Sequence, residues 1–151
     1  MKPNKHRNAG LLKLLLVIAA LGWGISILGI IFPWDIAIKV FYGFGAKEIP
    51  SDPMLNYWLR MASGGFLIIG ILFALSAWNP QKYQALIPLL GWLSILEGII
   101  LTIHGLILEL QPFPFYGDIS FCLFIGIGIV VLSHSAQSPK SENEPKPVDH
   151  A

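Results

Sequence analysis

Four long apolar stretches alternate with short polar connections along the chain. An apolar helix of about 20 residues spans a hydrocarbon core of about 30 Å. The pattern therefore predicts an all-α membrane protein, built as an antiparallel bundle of four transmembrane helices. The predicted helices cover residues 11–32, 54–78, 83–110 and 115–134.

The connections carry the residues that end helices. Pro33 closes the first apolar stretch, because proline cannot continue a helix. The segment 36–42, IAIKVFY, follows Asp35 as a possible cap and is too short to span, so it predicts a short interfacial helix. Residues 79–82, NPQK, and 111–114, QPFP, predict tight turns.

The two ends of the chain differ from the apolar middle. Residues 1–10 are predicted to be a basic cytoplasmic arm, and residues 135–151 a disordered cytoplasmic tail with almost nothing apolar to bury. The first apolar run, 14–32, is longer than the h-region of a signal peptide, and no small-residue cleavage site follows it. We therefore expect an uncleaved first membrane helix.

Lysine and arginine in the connections predict the orientation, because cytoplasmic loops carry an excess of both. With both termini in the cytoplasm, seven basic residues lie inside and three outside. The sequence thus predicts a multi-pass protein of the cytoplasmic (inner) membrane. The inside set is Lys2, Lys5, Arg7, Lys13, Lys82, Lys140 and Lys146, and the outside set is Lys39, Lys47 and Arg60.

Composition agrees with a membrane protein. Charged residues make up 13% of the chain, against about 25% in soluble domains, and apolar residues 54%. The net charge of +1 gives no electrostatic basis for binding nucleic acid. Trp34, Trp58 and Trp78 are predicted anchors at the membrane interfaces. Cys122, the only cysteine, is predicted to be a small buried hydrophobe.

Small residues recur at spacings of four, which favours close helix packing in membranes. The first helix carries two such pairs, Ala20 with Gly24 and Gly22 with Ser26. The third carries Ser94, Gly98 and Thr102 beside Glu97. We therefore expect the face that carries Glu97 to point into the bundle.

Five ionisable residues form a candidate polar pocket, since an intramembrane charge is costly and usually functional. They are Glu97, His104, Arg60, Asp118 and Glu109. On the predicted topology all but Glu97 share the depth of the outer leaflet. We expect a pocket that opens to the outer face, with Glu97 at its base, His104 at its wall, and Arg60 paired with Asp118.

Known catalytic motifs are missing from the sequence. It contains no glycine-rich phosphate loop, no His-Glu-x-x-His zinc motif and no Gly-x-Ser-x-Gly nucleophile turn. The sequence therefore predicts no metal, no cofactor and no nucleic-acid partner, and it favours a non-enzyme.

Three hypotheses about function follow. The first is a non-enzymatic accessory or scaffold subunit, held in the lipid bilayer as a homo-oligomer or with a partner membrane protein. The alternative is small-solute or proton transport, or ligand binding, in the polar pocket. A third is an enzyme acting on lipids, with His104 and either Asp118 or Glu109 as acid and base.

Three short segments add a resemblance. They are Tyr57-Trp58-Leu59-Arg60, the Asn-Pro-x-x-Tyr turn at 79–83, and Phe115-Tyr116-Gly117-Asp118. Together with the length and the number of apolar stretches, they make residues 11–134 resemble the DoxX-like and BphX-like groups of small bacterial membrane proteins. The resemblance implies a bacterial cytoplasmic membrane. Those groups share no agreed catalytic motif, so it assigns no role to any residue here.

Overall fold

The computed structural model describes residues 5–110 and 112–137, and this part of the chain forms helices and no strands. Four helical segments are long and apolar enough to cross a membrane, namely Arg7–Ile31, Pro53–Trp78, Leu86–Ile107 and Pro112–Ser135. For these described residues, the predicted all-α architecture with four membrane-length helices is therefore confirmed. The helices are α1 (Lys5–Gly24), α2 (Ile27–Ile31), α3 (Trp34–Gly43), α4 (Pro53–Trp78), α5 (Leu86–Ile107) and α6 (Pro112–Gln137).

Helix boundaries differ from the hydropathy pattern by a few residues. α1 begins at Lys5, so residues 5–10 of the predicted arm are helical, and α6 continues past His134 to Gln137. Apolarity marks only the part of a helix that suits hydrocarbon, and the backbone hydrogen bonds of a helix can continue into polar flanks. The remaining predicted arm, residues 1–4, and the remaining predicted tail, residues 138–151, lie outside the described residues.

α3 begins at Trp34, two residues before the start predicted from the sequence. The N-cap is Pro33, so Asp35 stands in the first helical turn and makes no capping hydrogen bond. Its negative charge still suits the positive end of the helix dipole. By contrast, α4 has a true side-chain cap, because an Asp52 oxygen accepts from the Met54 amide at 2.8 Å and Pro53 follows it.

Glu109 ends α5 in a left-handed conformation, with a φ of 51°. The Leu110 amide then donates to the Gly105 carbonyl at 3.1 Å, which closes the last turn as in a Schellman motif. Gly45, with a φ of 91°, ends α3 in the same way. The position of Glu109 is therefore one that glycine usually fills, and it serves the end of the helix.

The bundle is held mainly by three helix pairs. α5 packs along α6, and α1 packs against both α4 and α6, whereas α4 and α5 touch at only a few places. A buried apolar cluster lies between them. Its members are Leu12, Leu15, Leu16, Ala19, Phe73, Ala77, Ile87, Leu90, Ile125 and Ile129.

The small residues of α1 face two different helices. A Cβ atom built on Gly70 of α4 would lie 2.8 Å from the Gly24 nitrogen and 3.2 Å from the Ala20 carbonyl oxygen. A Cβ atom on Gly22 would instead collide with the Phe121 ring of α6. Gly22 thus lets α1 approach α6 closely, and Ala20 and Gly24 let it approach α4.

Candidate functional site

The first membrane-length segment is interrupted between α1 and α2. Around Ser26 the helical bonds give way to tighter ones, with the Ser26 amide donating to the Trp23 carbonyl at 3.2 Å and Leu28 to Ile25 at 3.0 Å. The Ser26 hydroxyl lies 2.7 Å from the Trp23 carbonyl oxygen and 3.1 Å from that of Ser63 on α4. The serine thus provides a donor at the interruption and links it to the neighbouring helix.

A cavity of about 310 Å³ lies beside this interruption. Residues from each of the four membrane-length segments line it, which places it within the bundle rather than on one helix. Its two ionisable carboxyl groups belong to Glu97 on α5 and Asp118 on α6. The other lining residues are Gly22, Trp23, Ile25, Ser26, Phe66, Leu101, Phe121 and Cys122.

The cavity has two carboxyl groups and no basic partner for them among its described lining residues. None of its described lining residues is a lysine, arginine or histidine. Glu97 is partly buried, whereas Asp118 is exposed at the surface of the bundle. Two unpaired carboxylates are expensive in a medium of low dielectric constant. The arrangement therefore favours the binding of protons or of a small cation, either of which lowers that cost.

Aromatic rings form one wall of the cavity. The Trp23 ring centroid lies 5.3 Å from that of Phe66 and 6.4 Å from that of Phe121. The Trp23 indole nitrogen is buried and has no hydrogen-bond partner among the described residues. A buried N–H without an acceptor costs about 1–3 kcal/mol, and this nitrogen has no surface accessible from the cavity.

Arg60 does not have the partner that the sequence suggested. Its guanidinium donates to the carbonyl oxygens of Ile30 and Phe32, the latter at 3.2 Å, and to the Asn56 side chain at 3.0 Å. The predicted pairing with Asp118 assumed that α4 and α6 are neighbours, but α4 packs against α1 and α2. Arg60 therefore satisfies the carbonyl groups at the end of α2, where a positive charge suits the helix dipole.

His104 and Glu109 lie apart from the cavity lining. Although His104 follows Glu97 by two helical turns, its side chain is exposed, and its Nδ1 lies 3.0 Å from the Ile100 carbonyl oxygen. Near this end of α5 the covered side is that of Gly105, which faces Phe115 of α6. Of the five predicted site residues, the structure thus brings Glu97 and Asp118 to one cavity.

Several lining residues were not expected from the sequence. Cys122 is buried, with 3% of its surface exposed, and it forms part of the cavity wall. No sequence feature distinguishes Trp23 and Phe121, because aromatic residues are common throughout the apolar stretches. The sequence signal for a cavity here is the pair of Gly22 and Ser26. These two small residues leave space in a stretch where most side chains are large.

The predicted tryptophan anchors occupy different environments. Trp58 and Trp78 stand near the two ends of α4 and are 55% and 87% exposed. Trp34 begins α3, and its indole nitrogen is buried without a hydrogen-bond partner among the described residues. Only the two α4 residues therefore have the exposure that an interfacial anchor needs.

Neither a metal-ligand cluster in the described residues nor a similar protein assigns a role to the cavity. In residues 5–110 and 112–137, no group of three histidine, cysteine, aspartate or glutamate side chains could hold a metal ion. Comparisons with protein-family models, curated proteins and solved structures found no match to this chain.

Proposed function

We propose that this chain is a multi-pass protein of the bacterial cytoplasmic membrane that binds a small cation or protons in the Glu97–Asp118 cavity, for transport or as a bound ligand. The proposed architecture is an antiparallel four-helix bundle, with α3 at the outer interface and both termini in the cytoplasm. The contacts between α5 and α6 support the antiparallel order. Along α5, Gly91 meets residues 129–130 of α6, Gly98 meets residues 122–123, and Gly105 meets residue 115, so the α6 numbers fall as the α5 numbers rise.

One observation carries the functional proposal. Two carboxyl groups from different helices line one cavity, and that cavity has no basic lining residue in the described part of the chain. Where an acid within a membrane-spanning helix only stabilises a bundle, another side chain is expected to pair with it. The unmatched charge therefore favours an exchangeable cation or proton as the partner of these carboxyl groups.

The native Cys122 permits a direct test, because this residue lines the cavity. Protein in lipid nanodiscs would be treated separately with two membrane-impermeant methanethiosulfonates, one trimethylammonium and one sulfonate. Intact mass spectrometry gives both labelling rates. Dividing the cationic rate by the anionic rate removes the effect of thiolate population. Relative to an exposed reference cysteine, we expect a preference of about three- to tenfold for the cation.

The reference is Ala46→Cys in a Cys122→Ser background, in an exposed connection. Glu97→Gln and Asp118→Asn keep side-chain shape but remove charge, so each should reduce the preference at Cys122. Three results would refute the proposed function. Cys122 could react with neither reagent while the reference cysteine reacts, it could show no preference for the cationic reagent, or it could show a preference that both variants leave unchanged.

An accessory or scaffold subunit is the second candidate. This candidate is favoured because the three other ionisable residues have structural roles. Arg60 caps α2, the His104 ring contacts the backbone of its own helix, and Glu109 ends α5. Under this hypothesis, Glu97→Gln leaves protein level and co-purifying subunits unchanged in cells, and Cys122 reacts with neither thiol reagent.

A further inference from the structure

A groove of about 250 Å³ runs between α4 and α5. Except for Ser94 and Glu97, the side chains that line it are apolar. Those along its rim on α5 are exposed, with Leu93 at 50%, Leu96 at 51% and Ile100 at 40%. Since both helices are long and apolar enough to cross a membrane, a groove between them would face the acyl chains of a surrounding bilayer.

The groove and the Glu97–Asp118 cavity share a boundary, because Trp23, Phe66 and Glu97 line both spaces. A molecule lying in the groove therefore contacts Glu97 at this boundary. Weak packing between α4 and α5 leaves this side of the bundle open, because α4 is held by α1 and α5 by α6.

The chemistry at the meeting point selects a positively charged group. Besides Glu97, it presents the rings of Trp23 and Phe66, and the Phe121 ring centroid lies 6.4 Å from that of Trp23. Aromatic faces attract ammonium groups, and quaternary ammonium ions in particular are recognised by clusters of aromatic rings. Carboxylates and aromatic rings together suit an organic cation better than a strongly hydrated metal ion.

We propose that the ligand is an amphipathic organic cation that reaches Glu97 from the bilayer through the α4–α5 groove. The ammonium group lies in the cavity between the carboxyl groups and the aromatic rings, and the apolar chain lies along the groove. This inference rests on the proposed function, because it names the ligand class and the route for the same cavity.

Two probes with one headgroup test the route. Tetramethylammonium has no tail, whereas octyltrimethylammonium adds an apolar chain that partitions into the bilayer. Each would be titrated as a protectant of Cys122 against the anionic thiol reagent, with protein in nanodiscs. Because the octyl chain partitions into the bilayer and tetramethylammonium does not, the octyl compound should half-protect Cys122 at a concentration lower by at least about tenfold.

Two neighbouring positions on α5 provide a matched pair of variants. Ile100 lines the groove, and Ile99 beside it, with similar exposure, faces another direction. Ile100→Trp should fill the groove and reduce the advantage of the octyl tail to less than about threefold. Ile99→Trp should leave that advantage intact. Labelling of the Ala46→Cys reference, measured with each probe present, corrects for changes in surface charge.

The outcomes separate the two proposals. A cation preference at Cys122, combined with equal protection by both probes, would overturn the groove route and leave the proposed function standing. Loss of the octyl advantage in both tryptophan variants would also overturn it, since the effect would not be specific to the groove. Absence of any cation preference at Cys122 refutes the proposed function itself.

Discussion

The pair α5–α6 and the pair α4–α5 are each consecutive in sequence, yet they pack very differently. α5 lies closely along α6, whereas α4 and α5 make only scattered contacts and leave a groove between them. Between α5 and α6, a Cβ atom built on Gly126 would lie 2.7 Å from the Gly91 carbonyl oxygen. The α4–α5 groove is instead lined by large side chains such as Phe66, Leu72 and Leu93.

This difference shows that small residues, rather than short connections, decide which helices meet. In a bilayer, apolar side chains gain little by leaving lipid for another helix, so close backbone approach determines association. Glycines at the contacts permit that approach on α5–α6 and between α1 and α4. Between α4 and α5 no comparable contact forms among the described glycines, and the space remains open to a ligand.

The largest effect is expected at Gly126, where leucine should break the tight pair. Its side chain would collide with the Gly91 carbonyl and the Ile95 amide nitrogen, 2.7 and 2.8 Å from the added Cβ. We expect a loss of about 3 kcal/mol in the free energy of unfolding, measured by SDS titration in mixed micelles with circular dichroism.

Gly117→Leu on the same helix is the control, because a Cβ atom there meets nothing within 4 Å. It should change stability by less than about 1 kcal/mol. Equal losses in both variants would mean that the α5–α6 contact does not govern stability.

An intermediate effect is expected for Arg60→Met, which tests whether α4 depends on α2 rather than on α5. The change removes three hydrogen bonds, two of them to carbonyl groups at the end of α2. The same titration should show a loss of about 2 kcal/mol. Lys47→Met, an exposed charge in a connection, is the control. An unchanged free energy of unfolding in Arg60→Met would contradict the capping role.

The smallest effect is expected for Leu93→Ala in the groove. Leu93 is half exposed to the lipid side, and lipid replaces its contacts in both folded and unfolded states. The free energy of unfolding should fall by less than about 1 kcal/mol. A loss near that of Gly126→Leu would show that α4 and α5 pack tightly in the bilayer, and the groove would then be closed.

Much of the fold could be predicted from local pattern. Apolar runs of membrane-spanning length located the four long helices, and Pro33, the turn at 79–82 and Pro112 located their ends to within a few residues. The close approaches at Gly24 and Gly98 were also foreseeable, because small residues at a spacing of four form a flat helix face.

The candidate site could be predicted only in part. Glu97 and Asp118 stood out, since carboxylates are rare in apolar stretches. Their location at one cavity, and the use of Arg60 at the end of α2 instead, depended on the order of helices around the bundle. Depth along a helix can be counted from sequence, but the identity of its neighbours cannot.

Features that are periodic or local follow from the sequence: helical structure, four apolar helices, their approximate ends, and the acidic residues placed within them. Packing specifies the rest, namely which helices touch, where the first segment is interrupted, and which rings lie near Glu97. Lipid is as apolar as the surfaces of these helices, so the hydrophobic pattern does not favour one face of a helix over another as the contact face. The choice among neighbours then falls to a few close contacts at glycines and serines, which exist only once the helices are packed.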